Sequence, residues 1–77
     1  MKSLTIYLNS IDKVKSFVNT VNTFDTDFDL VSGRYVIDAK SIMGIFSLDL
    51  SKAVELQIHD CDNMDEVVEK LKVYETK

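Results

Sequence analysis

Leu4, Ile6 and Leu8 alternate with Ser3, Thr5 and Tyr7, the two-residue period of a strand with one buried face. From Ile11 the period lengthens. Ile11, Val14, Phe17, Val18 and Val21 fall on one helical stripe, opposite Asp12, Lys13, Lys15 and Asn19, and Asn9 or Ser10 stands where a cap belongs. The segment Asp25 to Val31 alternates again in part, with Phe28 and Leu30 pointing inward, and Ser32-Gly33 turns it into a second short run, Arg34 to Asp38. This pair reads as a hairpin. Ser41 then opens a short helix, where its hydroxyl is placed to bond the free backbone N–H of Met43 or Gly44. Val54, Leu56 and Ile58 alternate with Glu55, Gln57 and His59, which predicts a fourth strand with a wet outer face. Asn63 followed by Glu66 has the form of a capping box, and Met64, Val67, Val68, Leu71 and Tyr74 supply the stripe of a last helix.

The order strand, helix, strand, strand, short helix, strand, helix is packed most economically as an antiparallel sheet with all helices on one face. The expected fold is therefore α+β, an open-faced two-layer sandwich of four antiparallel strands and three helices. The 77 residues make one domain, 1–77, with a small core and no room for a second. With 45% hydrophobic and 29% charged residues the chain has a globular composition and not that of a disordered tail.

A formal charge of −4 disfavours a nucleic-acid or anionic-membrane surface and leaves basic partners and small ligands open. The single cysteine, Cys61, has no partner for an intramolecular disulfide, which fits a reducing compartment. No apolar run reaches the length of a membrane span, and Met1-Lys2-Ser3 is not followed by the continuous apolar segment of a secretion signal. The expectation is a cytoplasmic monomer.

Few residues suggest chemistry. Lys40-Ser41-Ile42-Met43-Gly44, continuing to Phe46, sets apolar side chains beside a hydroxyl at a helix start, a candidate docking and regulatory surface. His59 stands on the polar face of the fourth strand with no orienting partner identifiable from sequence, so no catalytic residue is assigned. His59, Asp60, Cys61 and Asp62 are adjacent in the chain and lack a second cluster to complete a tetrahedral set, so neither metal nor cofactor is expected. Cys61 lies between two aspartates, a setting that disfavours the thiolate. With only Gly33 and Gly44 there is no glycine-rich phosphate loop. Asp25, Asp27 and Asp29 are evenly spaced and read as solvated charges that guard a strand edge.

The run Lys40-Ser41-Ile42-Met43-Gly44 followed by Ser47-Leu48, then Val54-Glu55-Leu56-Gln57-Ile58 leading to an acidic helix start and Glu69-Lys70-Leu71, resembles the histidine-containing phosphocarrier (HPr) family of the bacterial sugar phosphotransferase system. The resemblance extends from Phe24 to Tyr74 and over the first strand and helix by pattern alone. It implies the βαββαβα open-faced sandwich. It also implies that the serine matching Ser41 is a regulatory phosphorylation site, as in many Gram-positive members, and that Ile42, Met43 and Phe46 belong to a partner-docking face.

Where the family carries its active histidine, in a Gly-Leu-His-Ala-Arg-Pro-like stretch at the start of helix one, this chain reads Leu8-Asn9-Ser10-Ile11-Asp12-Lys13. Without a gap, Ser10 falls near the histidine place, Asp12 near the arginine and Lys13 near the proline. A serine phosphate is a stable ester and not a labile phosphoramidate, and Asp12 would repel phosphate where an arginine would clamp it. Asn9, Ser10, Asp12 and Lys13 thus form a degenerate active-site region. Two function classes follow. One is a non-catalytic regulatory or adaptor protein, similar to the catabolite-repression variants of the family, with protein partners of phosphotransferase or carbon-regulation type. The other is a phosphoryl carrier, or accessory phosphotransferase component, that uses a non-standard residue.

Overall fold

The computed structural model describes residues 2–76; Met1 and Lys77, the two ends of the expected 1–77 domain, lie outside the described residues. Its elements are β1 (Lys2–Ile6), α1 (Ile11–Val21), β2 (Phe28–Ser32), β3 (Tyr35–Asp38), α2 (Ile42–Phe46), β4 (Val54–Ile58) and α3 (Met64–Leu71), with a 3-10 turn over Lys72–Tyr74. The strands form one antiparallel sheet in the order β1-β4-β2-β3, so β4 and β2 are central.

The period-two pattern sets the register. Leu56 of β4 stands across from Leu4 on one side and Leu30 on the other, Val54 pairs with Ile6, and Ile58 pairs with Lys2 and Phe28. All the apolar members of this set point to one face and are buried. Val14, Phe17 and Val21 of α1, Ile45 of α2 and Val67 and Leu71 of α3 close over that face in a single core. The opposite face carries Ser3, Thr5, Asp29, Glu55 and Gln57, the polar partners of the same alternation. The expected α+β open-faced sandwich is the fold found. Leu8 lies beyond the end of β1 and is fully buried all the same.

The β2–β3 connection is a two-residue turn of Gly33 and Arg34 between the paired Ser32 and Tyr35. Gly33 has φ +59 at the first central position, the sign a type II′ turn demands and one that side chains resist.

Four expectations are corrected. The apolar stripe puts Ile11 in the core, yet it is 62% exposed. Side chains of a helix lean toward its N-terminus, so a first-turn residue projects past the sheet instead of onto it. The stripe of α3 ends at Leu71, because the chain tightens into the 3-10 turn before Tyr74. Tyr74 reaches the core by another route: its ring meets Phe17 edge-on at 5.6 Å, and its hydroxyl shares a 2.5 Å hydrogen bond with Ser16 Oγ. Asn63 makes no side-chain cap bond, since its ψ of 37 leaves the extended region from which a cap side chain reaches the first turn. Finally, Asp25 and Asp27 precede β2, and Asp29 lies on a central strand, so these aspartates guard no edge.

Phe17→Ala is expected to cost about 3–5 kcal/mol, the range for emptying a buried aromatic site, whereas Ile11→Ala should stay within about 0.5 kcal/mol. Urea midpoints of the two variants against the parent chain check this; similar losses at both positions would contradict the placement of Ile11.

Candidate functional site

The antiparallel register sorts the loops into two groups. β1 ends where β4 begins, with Ile6 opposite Val54, and β2 ends there too, with Val31 opposite Glu55. The start of α1, the Gly33-Arg34 turn and the loop 47–53 therefore share one end of the sheet. At the other end Asp38 closes β3 opposite Asp29, and Ile58 closes β4 opposite Phe28. Ser41 and His59 belong to that end.

Ser41 is exposed and caps α2 from an extended backbone, φ −97 and ψ 103. Of the two expected donors it takes Gly44, whose N–H reaches Ser41 Oγ at 3.3 Å. Gly44 also lets α2 lie close to β3, because a Cβ built there would stand 3.4 Å from Ser41 Oγ and 3.5 Å from Ile37 Cδ1. Ile45 is the buried anchor and Ile42 packs partly on the core, which turns Met43 (78% exposed) and Phe46 (42% exposed) to solvent. Lys40 is half-buried: Lys40 Nζ donates to Phe24 O at 2.8 Å and stands 5.8 Å from the Phe28 ring centroid, so its charge is engaged within the chain.

At the far end Ser10, and not Asn9, caps α1, its Oγ accepting from Lys13 N at 3.1 Å. Asn9, Ser10, Asp12 and Lys13 are all exposed, and Asp12 places a carboxylate in the first turn. Beside them Tyr7 donates its hydroxyl to Ser51 O at 3.1 Å and so holds the loop 47–53. In that loop the Ser51 hydroxyl and backbone N–H, helped by the Lys52 charge, keep the Asp49 carboxyl below its ordinary range. A phosphate placed on Ser10 would share the first turn with the Asp12 carboxylate.

His59 does have a partner, which corrects the reading from sequence. His59 Nε2 stands 2.8 Å from Asp29 Oδ2, and a backbone bond from His59 N to Asp27 O and one from the Thr26 hydroxyl to His59 O fix the residue just past β4. The pairing was hidden because it joins residues thirty positions apart across two central strands. It stays remote from Ser10, since the strand length between them is about 13 Å at the usual rise per residue. Among the described residues no group of three or more His, Cys, Asp or Glu side chains is placed to hold a metal ion.

Two open clefts lie at the ends of the sheet. One, of about 510 Å³, runs between residues 23–26 and 60–63 and includes Asp25, Asp60, Cys61 and Asp62. The other, of about 600 Å³, lies between the β2–β3 turn and the loop 47–53 and includes Arg34, Asp49 and Lys52. Neither takes in Ser41, Ile42, Met43 or Phe46. The exposed apolar side chains of α2 line neither cleft, and a small ligand needs a concavity.

Known proteins place the chain further. The family model described as the PTS HPr component phosphorylation site matches residues 13–74, a span that starts downstream of Ser10 and takes in Ser41 and His59. Among solved structures, HPr-C-His from Thermoanaerobacter tengcongensis superposes with a TM-score of 0.76 at 29% identity, covering 92% of this chain and 86% of that one. Phosphocarrier protein HPr from Bacillus anthracis gives 0.72 at 26% identity over 97% and 94% of the two chains. The catabolite repression containing protein Crh of Bacillus subtilis, described as a swapped dimer, gives 0.67 at 33% identity over 92% and 82%. A comparison with curated protein sequences returned no match.

Ser10→Ala is expected to cost about 1 kcal/mol by removing an N-cap acceptor, and Ser41→Ala about 0.5 kcal/mol because its 3.3 Å bond caps a single short turn. Asn63→Ala should change stability by only a few tenths of a kcal/mol, roughly the limit of a missing cap bond. Thermal melts of the three variants give the ranking, and a loss at Asn63 equal to that at Ser10 would refute it.

Proposed function

The chain belongs to the HPr family of the sugar phosphotransferase system, and on that premise we propose that it is a regulatory or adaptor protein, recognised by protein partners through α2 and not itself a carrier of labile phosphate. Members of this family are phosphocarriers rather than enzymes. The observation that carries the reading is the pairing of an exposed Ser41 with exposed Met43 and Phe46 on one short helix anchored by Ile45. An apolar patch of this kind beside an addressable hydroxyl favours association with another protein.

The other end of the sheet supports the same reading by its chemistry. The helix-one cap there is a hydroxyl bonded to its own first turn, which carries the Asp12 carboxylate. An ester formed at such a place is neither labile nor electrostatically clamped.

Seryl phosphorylation is the proposed regulatory step. Ser41 Oγ would displace ADP from the γ-phosphate of ATP and lose its proton, leaving a group of about −1.5 to −2 charge beside Met43. Gly44 N–H, which now donates to Ser41 Oγ, remains available to a phosphate oxygen. The helix itself changes little, so the new charge is read by the partner. Docking involves Ser41, Ile42, Met43, Gly44 and Phe46, with Lys40 as the packed base of the patch.

The test is treatment with a seryl kinase and ATP, followed by peptide mapping, and partner capture by the phosphorylated and unphosphorylated chain. Phosphate on Ser41 is expected, together with partner binding that depends on it and falls at least about tenfold in Met43→Asp, an effect of the size seen for a central apolar anchor. An unmodified Ser41, with partner binding indifferent to Ser41→Ala, defeats the proposal.

A further inference from the structure

The sheet has two edges, and among the described residues the β1 edge is covered over Thr5–Tyr7 whereas β3 is open along its whole length. Along β1 the C-terminal segment takes the outer positions: Tyr7 N donates to Tyr74 O at 3.0 Å, Thr76 N donates to Thr5 O at 2.9 Å, and Glu75 bridges Ile6. Along β3 the strand order ends with nothing beyond it among the described residues. Tyr35 and Val36 are 70% and 63% exposed there.

Edge strands are commonly guarded by a lysine, a proline, a bulge or an inward charge. β3 has none of these between Tyr35 and Ile37. Its charges stand at the two ends and have opposite signs, Arg34 just before the strand and Asp38 at its last position. Neither is in an ion pair among the described residues. Asp38 stands opposite Asp29 across the β2–β3 ladder; its Oδ1 accepts from Lys40 N at 2.9 Å, and no bond engages its Oδ2 among the described residues.

The run Arg34-Tyr35-Val36-Ile37-Asp38 is complementary to itself when laid antiparallel. With Val36 opposite Val36 of a second copy, Tyr35 meets Ile37 and Arg34 meets Asp38, each contact occurring twice by the two-fold axis. Residues 34, 36 and 38 share the open face, where two ion pairs flank the valines; residues 35 and 37 share the helix side. The backbone agrees with this register. In a two-residue hairpin the flanking residues, Ser32 and Tyr35, form a hydrogen-bonded pair, so alternation turns the N–H and C=O of Val36 away from β2 toward the open edge. Across the two-fold axis those groups meet their own counterparts.

We propose that two copies of this chain associate through β3, antiparallel and centred on Val36, to join their sheets into one. The occupant of the edge is a second copy because the charge pattern of the edge matches itself. Five residues per copy make a small interface, so the dimer is reversible, with a Kd between about 1 μM and 1 mM. It needs no exchange of strands and does not rest on the Ser41 reading.

Sedimentation equilibrium from about 0.3 μM to 2 mM brackets that range, with amide exchange read by NMR at its upper end. The expected result is a dimer that grows with concentration, together with protection of the Val36 amide that grows in step. Arg34→Asp, which breaks no internal bond of the chain, and Asp38→Arg should each weaken self-association about tenfold or more, since both ion pairs become repulsions. An equimolar mixture of the two variants should form a heterodimer, because opposite charges then meet again at both ends of the paired strands. A monomer throughout, a dimer with an unprotected Val36 amide, or a dimer indifferent to Arg34→Asp overturns the proposal, as does a dimer that persists on dilution.

Discussion

The register of β4 between β1 and β2 is the constraint on which the rest depends. Leu56 has to stand opposite Leu4 and Leu30 at once, and a slip of one residue would send Val54, Leu56 and Ile58 to the water side and bring Glu55 and Gln57 into the core. With the register held, the apolar face is single and continuous, so every helix must cover that same face. Each helix start is then delivered to one end of the sheet or the other. The separation of the two serine caps, Ser10 at one end and Ser41 at the other, follows directly from it.

The two caps share a chemistry and differ in surroundings. Both hydroxyls accept from a first-turn N–H. In the first turn capped by Ser10 stands the Asp12 carboxylate. Around Ser41 stand the exposed side chains of Met43 and Phe46. An anionic setting repels phosphate, whereas an apolar setting with a single addressable hydroxyl lets a charge added there be distinguished by a partner. On this contrast rests the proposal of recognition at α2.

Much of the fold was legible because alternation in β1 and β4 and the stripe of α1 each bury one face against the same core. What escaped was long-range or directional. The Asp29–His59 pair spans thirty residues and needs the β2–β4 pairing, which no local pattern gives. Tyr74 kept the spacing of a helix stripe, yet the chain had already tightened, and only the contact with Phe17 and Ser16 reveals its role. Ile11 followed the stripe by number and missed the sheet by direction. At the candidate site, the Ser41 cap was readable from residue type, and the exposure of Met43 was not, since a short helix over a sheet buries one side and the sequence does not say which. The inward turn of Lys40 toward Phe24 likewise depends on two loops meeting.

The most direct measurement of the central claim is phosphoryl transfer: incubate the chain with enzyme I and phosphoenolpyruvate and assay for acid-labile protein phosphate. The expected result is none, because the cap of α1 is a serine and the single histidine is held against Asp29 at the opposite end of the sheet. An acid-labile phosphoryl group on His59, formed at a rate that supports onward transfer, would contradict it.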